Sequence, residues 1–267
     1  MLRNVKAYLT IDDSPSLNMD AMTEHLFARS IPAIFFCRGD RLEENPEAAV
    51  RAIQKGYVLA NHGYTHQRSS QKDAAFTIDE IARTERLLER LHQQAGVAQR
   101  GRYFRFPHVD RGTAGWIVDY DAYEGDARAG VLAAFAEGLN VASMDKPNPA
   151  ALDKKAALQE YLAAEGYSQP FAGVTHSWFA EGEVAGAKDC LYTFSNCDWM
   201  LTERHRGKWP YKTLDDLKAK ALNDPWLSKP DSVNVILAHD QAEIVDITLK
   251  LLDDLRLNGL EFLEGVN

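Results

Sequence analysis

Five times along the chain, an apolar run too short for a helix ends in a cluster of polar, chemistry-bearing residues, with stretches of helical period between the runs. Lys6–Ile11 reads as a strand and leads into Asp12-Asp13, Val58–Asn61 leads into "NHGYTHQ", and Tyr103–Phe106 into "RFPHVDRG". Tyr192–Ser195 leads into "NCDWM" and Val233–Ala238 into "AHDQ". Alternation of branched or aromatic runs with amphipathic stretches is the pattern of repeated βα units, which confines the chain to a parallel α/β sheet or barrel. In such folds the residues just past each strand gather at the carboxyl edge of the sheet, where active sites are built. The five clusters are therefore expected on one rim.

The intervening stretches carry helix signals. Met19–Arg29 follows the first strand and Ala33–Phe36 reads as the second. Pro46–Lys55 reads as a helix with Asn45 as its cap and Gly56 as its stop. In "TIDEIARTERLLERLHQQAG", Thr77 and Glu80 have capping-box spacing, Ile81, Leu87, Leu88 and Leu91 line one face, and Gly96 ends the helix. Further helices are expected over Ala150–Glu165, over Leu214–Leu222 and along "AEIVDITLKLLDDLRLNGL", which runs into a last apolar segment, "EFL". Between Pro107 and Leu191 the strand signal is thin, so residues from about 110 to 190 are expected to form an insertion of loops and helices at one end of the sheet.

A length of 267 residues suits one α/β barrel domain spanning 1–267. A net charge of −9 predicts an acidic surface, which argues against an electrostatic grip on nucleic acid or an anionic membrane. Cys37, Cys190 and Cys197 are too few for a disulfide framework, although Cys190 and Cys197 could pair in an oxidising compartment. No apolar segment suits a signal peptide or a membrane span, so the expected location is cytoplasmic; a secreted protein trimmed of its leader would read the same.

His62 and His66 stand four residues apart, a spacing that turns both imidazoles to one side if "HGYTH" makes about one helical turn. Two imidazoles and a carboxylate leave an open position on Zn²⁺ or a similar ion, the catalytic arrangement. Two solvated loop histidines are the plain alternative. For Asp12-Asp13 the alternatives are a helix cap beside a solvated aspartate, or a Mg²⁺-phosphate site, which would want a lysine or a glycine-rich loop nearby. Divided roles fit better with the histidines present: one carboxylate on a metal and its neighbour a base, with the cation offsetting their mutual repulsion.

"LTIDDSP", "NHGYTHQ", "RFPHVDRG", "NCDWM" and "VILAHD" follow in the order of the five motifs of the polysaccharide deacetylase family, the NodB-homology domain of carbohydrate esterase family 4, which this chain resembles from Val5 to about Leu263. The resemblance implies a distorted (β/α)7 barrel and metal-dependent removal of acetyl groups from N-acetylglucosamine-containing oligo- or polysaccharide. It implies Asp13, His62 and His66 as ligands of a divalent metal, Zn²⁺ first with Co²⁺, Ni²⁺ or Mn²⁺ as substitutes, and Asp12 as general base. Arg105 matches the arginine paired with the base, His239 the general acid and Asp198 the carboxylate that orients it. Leu237 and Trp199 match the walls around the acetyl methyl, and the backbone N–H of His108 an oxyanion donor.

The sequence departs from the family pattern at Ile11, Ser14, Gly63, Gln67, His108 and Ser195. None of these removes a ligand, base or acid, but together they reshape the cleft wall and put acceptor specificity in doubt. An O-acetyl ester or a small amide is the rival substrate, and a non-catalytic sugar-binding relative the rival function. Elsewhere, His176 reads as a packed or surface residue, and His25, His92 and His205 as helical residues without a role. Asp240 either touches substrate or braces its loop. Trp116, Tyr120, Trp178 and Phe179 stack on sugar or fill the insertion's core, and Cys37 is a small buried hydrophobe.

Overall fold

The computed structural model describes residues 2–136 and 145–265. The chain begins with β1 (Lys6–Ser14), α1 (Met19–Phe27), β2 (Ile34–Cys37), α2 (Gly39–Glu44), α3 (Pro46–Gln54), β3 (Val58–Asn61) and α4 (Ala74–Ala95). It continues with α5 (Gly125–Phe135), α6 (Pro149–Ala164), α7 (Gly182–Ala185), β4 (Phe194–Ser195), α8 (Leu214–Asn223), β5 (Val233–His239), α9 (Val245–Leu257) and β6 (Glu261–Leu263). All strand pairings are parallel, in the order β3-β2-β1-β5-β4, with β6 against the start of β1. The expected α/β class with a parallel sheet is what forms.

β1 is central because its sequence can be buried on both faces: from Ala7 to Ser14 every residue is inside. It runs in register with β5 from Lys6 opposite Val233 to Asp12 opposite His239. Helices α1, α3, α4 and α9 cover one side, and their apolar faces (Met22, Leu26, Ala49, Ile53, Leu88, Leu252) pack on Leu9, Ile11, Phe35 and Ile236.

Two expected elements differ. Tyr103–Phe106 is an extended segment and not a full strand: Asn61 N donates to Tyr103 O, Arg105 N to Asn61 O, and Cys190 N to Phe104 O. It thus spans from the edge of β3 toward the chain that leads into β4, but Pro107 stops the ladder before it lengthens. The late strand is shorter than Tyr192–Ser195, because only Phe194 and Ser195 pair with β5. The capping box at Thr77 is also corrected. Helix α4 starts earlier, with Asp73 accepting from Phe76 N at 2.7 Å, so Thr77 and Glu80 lie inside it. Asn45 makes no cap hydrogen bond; its amide donates to Ser16 O instead.

Between 110 and 190 the described residues hold helices and turns and no strand. Trp116, Tyr120, Phe135, Trp178 and Phe179 form a second core against Tyr8, Val235 and Leu237, so these aromatics pack the insertion and do not offer faces to sugar. Arg111 and Asp189, both buried, pair at 3.0 Å, and Gln159 donates to the same Asp189 oxygen at 2.8 Å. Cys37, Cys190 and Cys197 are buried, and no disulfide forms among the described residues. No described helix is long and apolar enough to cross a membrane.

Candidate active site

Successive side chains of a strand point to opposite faces, so two consecutive aspartates should diverge. They do not. Ile11 pairs with Phe35 but Ser14 pairs with Cys37, so β1 spends three steps where β2 spends two, and Asp13 takes a left-handed backbone (φ 67) at this bulge. Aspartate is among the residues that tolerate that region. The bulge returns Asp13 to the side Asp12 already faces: His62 Nε2 is 3.7 Å from Asp12 Oδ2 and 3.9 Å from Asp13 Oδ1. The Arg41 guanidinium, from α2, donates to Asp13 O and Asp240 O and holds the bulge against the loop after β5.

The ligating atoms of Asp13, His62 and His66 all lie within 4.8 Å of one another, and His66 Nε2 is 3.1 Å from Asp13 Oδ1. His62 follows β3, and its Nδ1 donates to the Arg105 carbonyl at 2.8 Å. A carbonyl can only accept, so Nδ1 carries the proton and Nε2 turns a lone pair toward the carboxylates, the tautomer a metal requires. Burial lowers the pKa of both imidazoles and keeps them neutral. Burial acts against the Asp13 carboxylate, but the charges that His66, His239 and His62 carry once acid protonates them, with the Gln241 amide, outweigh it and hold its pKa below the ordinary range. Asp13 Oδ1 is buried without a hydrogen-bond partner. An anionic oxygen and two neutral imidazoles around one point, one atom unsatisfied, fit a divalent cation.

Asp12 Oδ1 is fixed by Arg105 Nη1 at 2.7 Å. Arg105 is fully buried; it also donates to Thr10 Oγ1 and Cys190 O, and its guanidinium lies 4.3 Å from the centre of the Phe36 ring. Directly across the sheet, His239 Nδ1 meets Asp198 Oδ1 at 2.7 Å. The second Asp198 oxygen accepts from the His239 backbone N–H and from Thr248 Oγ1, each at 2.9 Å. Burial depresses the His239 imidazole, yet the Asp198 charge and hydrogen bond, helped by Asp13 and Asp12, push it up to about 9.

Trp199, half-buried, follows Asp198 on a short turn, and Leu237 lies two residues before His239 on the same face of β5. His108 occupies a turn with φ 56, and its ring lies tilted against that of His66, 4.4 Å between centres. The structure thus gathers Asp12, Asp13, His62, His66, Arg105, His108, Asp198, Trp199, Leu237 and His239 along one sheet edge. His176 is elsewhere, packed with its Nε2 on Asn234 Oδ1 at 2.7 Å. Asp240 is buried, accepts from Ser16 N at 2.8 Å and braces its loop. His205 sits on a turn, not a helix, with its ring 5.0 Å from that of Trp199.

Three contributors escape sequence reasoning. Gln241 Nε2 donates to Asp13 Oδ2 at 2.6 Å, Thr248 reaches Asp198 from α9, and Arg41 clamps the bulge. Only Gln241 carried a signal, its place in "AHDQ" beside His239.

Residues 3–115 match the family model described as polysaccharide deacetylase. That stretch is similar to the polysaccharide deacetylase family. The match covers the bulged first strand, the histidine pair and Arg105. A chitooligosaccharide deacetylase of Rhizobium leguminosarum bv. trifolii is 30% identical over 106 residues, 38% of this chain and 46% of that protein. A peptidoglycan-N-acetylglucosamine deacetylase of Bacillus cereus is 31% identical over 88 residues, 31% of this chain and 30% of that protein. These alignments span less than half of either relative. Among solved structures, a polysaccharide deacetylase from Bacillus cereus aligns with TM-score 0.56 and 16% identity over 98% of this chain and 92% of that one. A family 4 carbohydrate esterase pseudoenzyme from Bacillus anthracis aligns with TM-score 0.54 and 14% identity over 98% of this chain and 64% of that one. At such identities the likeness concerns the fold, which active and inactive proteins share, so any activity has to be argued from side chains.

Proposed function

We propose that the protein is a metal-dependent hydrolase that removes N-acetyl groups from N-acetylglucosamine units of an oligo- or polysaccharide. One observation carries the reading: an Asp-His-His set, with a buried carboxylate oxygen that has no hydrogen-bond partner, adjoins a carboxylate paired with a buried arginine, beside an imidazole paired with a buried aspartate.

Asp13, His62 and His66 would hold the divalent cation, which when bound supplies a water of lowered pKa and polarises the amide carbonyl. Asp12 accepts the proton of the attacking water on Oδ2, since Arg105 occupies Oδ1 and fixes the plane of the carboxylate. His239 donates from Nε2 to the departing nitrogen, because Nδ1 is committed to Asp198. The N–H of His108 supports the developing oxyanion, and Trp199 and Leu237 bound the space for the acetyl methyl. Base and acid are register partners on neighbouring strands, so they stand side by side on one face of the sheet, each held by its own buried partner, Arg105 and Asp198.

Incubation with chitotetraose and Zn²⁺, followed by mass spectrometry, tests the assignment. Stepwise loss of acetyl groups is the expected result. Release from acetylated xylan alone would move the substrate to O-acetyl esters, and release from neither would overturn the assignment.

The positioning groups give two further expectations. Asp198→Asn removes the charge that raises the His239 pKa, so the alkaline limb of kcat/KM, where the acid loses its proton, should move to lower pH. A pH–rate profile reads this directly; an unmoved limb would assign the acid to another group. Gln241→Ala frees Asp13 Oδ2 and should weaken divalent-metal affinity about tenfold. Competition with a chromogenic chelator measures it, and unchanged affinity would show that the Gln241 contact does not orient the ligand.

A further inference from the structure

The loop that carries Asp198 and Trp199 continues into "TERHRGKWPYKT", a turn-rich lobe from Thr202 to Thr213. Between Arg204 and Lys212 stand four cationic side chains and no carboxylate, in a chain whose net charge is −9. Arg204, Arg206, Lys208 and Lys212 are exposed, and none is ion-paired among the described residues. A solvated charged face on this protein would be expected to mix signs or be acidic, as the rest of the surface is. Lys208 Nζ donates to Arg204 O at 2.7 Å and Arg206 Nη2 to Leu201 O at 3.5 Å, but neither contact brings a counter-charge, and the clustered cations repel one another.

The lobe is joined to the site by its base. Trp199 packs edge-on against Trp209 at 5.1 Å and against His205 at 5.0 Å between ring centres. Thr202 Oγ1 donates to Trp199 O at 2.8 Å, and Glu203 N donates to Glu243 Oε2 at 2.7 Å, on the stretch that follows His239. Trp199, Trp209 and Tyr211 are half-buried, leaving aromatic surface between the cations, and aromatic faces suit the C–H faces of pyranose rings. Arginine and lysine together suit a planar or tetrahedral anion.

We propose that the lobe from residue 202 to 213 is a subsite for an anionic sugar, so that the preferred substrate carries carboxylate or sulfate-type groups on units next to the acetylated one. This rests on the deacetylase reading for its place in catalysis, but the binding itself is separable. The cations would hold the charged unit beside Trp199 while its neighbour presents the acetyl group to Asp12 and His239.

Isothermal titration of the metal-stripped protein, which cannot turn substrate over, against three tetrasaccharides tests it. The probes are chitotetraose, a hyaluronan tetrasaccharide with alternating glucuronate, and 6-O-sulfated chitotetraose. At low salt at least one acidic probe should bind about fivefold or more tighter than the neutral one, and this ratio should shrink as salt rises. Whichever acidic probe binds tighter identifies the anion. Arg204→Gln/Lys208→Gln, exposed changes that spare the core, should bring the ratio close to one with chitotetraose affinity unchanged. Equal binding of acidic and neutral probes, or a ratio that survives the double substitution, overturns the subsite. Should chitotetraose be deacetylated without any such ratio, the subsite fails and the deacetylase reading stands. Should the ratio hold where no acetyl group is released, the reverse is true.

Discussion

Asp12→Asn should lower kcat on an N-acetylated glucosamine oligomer by about 10²–10⁴-fold, the range a positioned general base contributes. The asparagine keeps the shape of the side chain, and its carbonyl oxygen can still accept from Arg105 Nη1, but the amide nitrogen offered at the other position cannot take a proton. The same change leaves Arg105 buried without its counter-charge. Breaking a buried pair typically costs about 3–5 kcal/mol, so a lower melting temperature should accompany the loss. Activity within tenfold of the parent, in a variant that melts cooperatively, would remove Asp12 from the role of base.

Removing the metal should have an effect as large on turnover and a second effect on stability. Dialysis against a strong chelator is expected to abolish acetate release, and one equivalent of Zn²⁺ to restore it. Asp13 and His62 are buried, with Asp13 Oδ1 unsatisfied, so a cation there binds the folded state alone. At a hundredfold excess over its dissociation constant a ligand adds about 2.7 kcal/mol, worth roughly 5–10 °C in the melting temperature of a chain this size. His66→Ala should lose both the rescue and the metal-dependent rise in melting temperature. Identical melting curves with and without metal would show that the three side chains do not form a cation site.

Much of the arrangement was legible in the sequence, because strand ends are marked by composition and the chemistry follows them. Asp12, His62, Asp198 and His239 each sit one to three residues past an apolar run, Arg105 lies within one, and the parallel topology does the gathering. What escaped has physical causes. The conformation that lets Asp13 stand beside Asp12 depends on a bulge, and no residue type announces one when an aspartate and not a glycine takes the left-handed position. Thr77 and Glu80 copied the spacing of a helix start inside α4, where Glu80 instead accepts from Thr65 N at 2.6 Å, a contact distant in sequence. Gln241, Thr248 and Arg41 act on the site through such contacts too, and apart from the place of Gln241 in "AHDQ" single-residue patterns carry no trace of them. The lobe after Thr202 was readable as a charge anomaly, but only its packing on Trp199 ties it to the cleft.

Asp198 grips His239 twice, by the ring nitrogen and by the peptide N–H, and is itself steadied from α9. With height and rotation of the imidazole both set by one anchored carboxylate, the proton is delivered at a fixed altitude above the sheet. A glycan must therefore bring its nitrogen to that level, and discrimination between acceptors falls to whatever sets how deep a sugar can settle: the bulky indole next door, the turn at His108 and the loops around them.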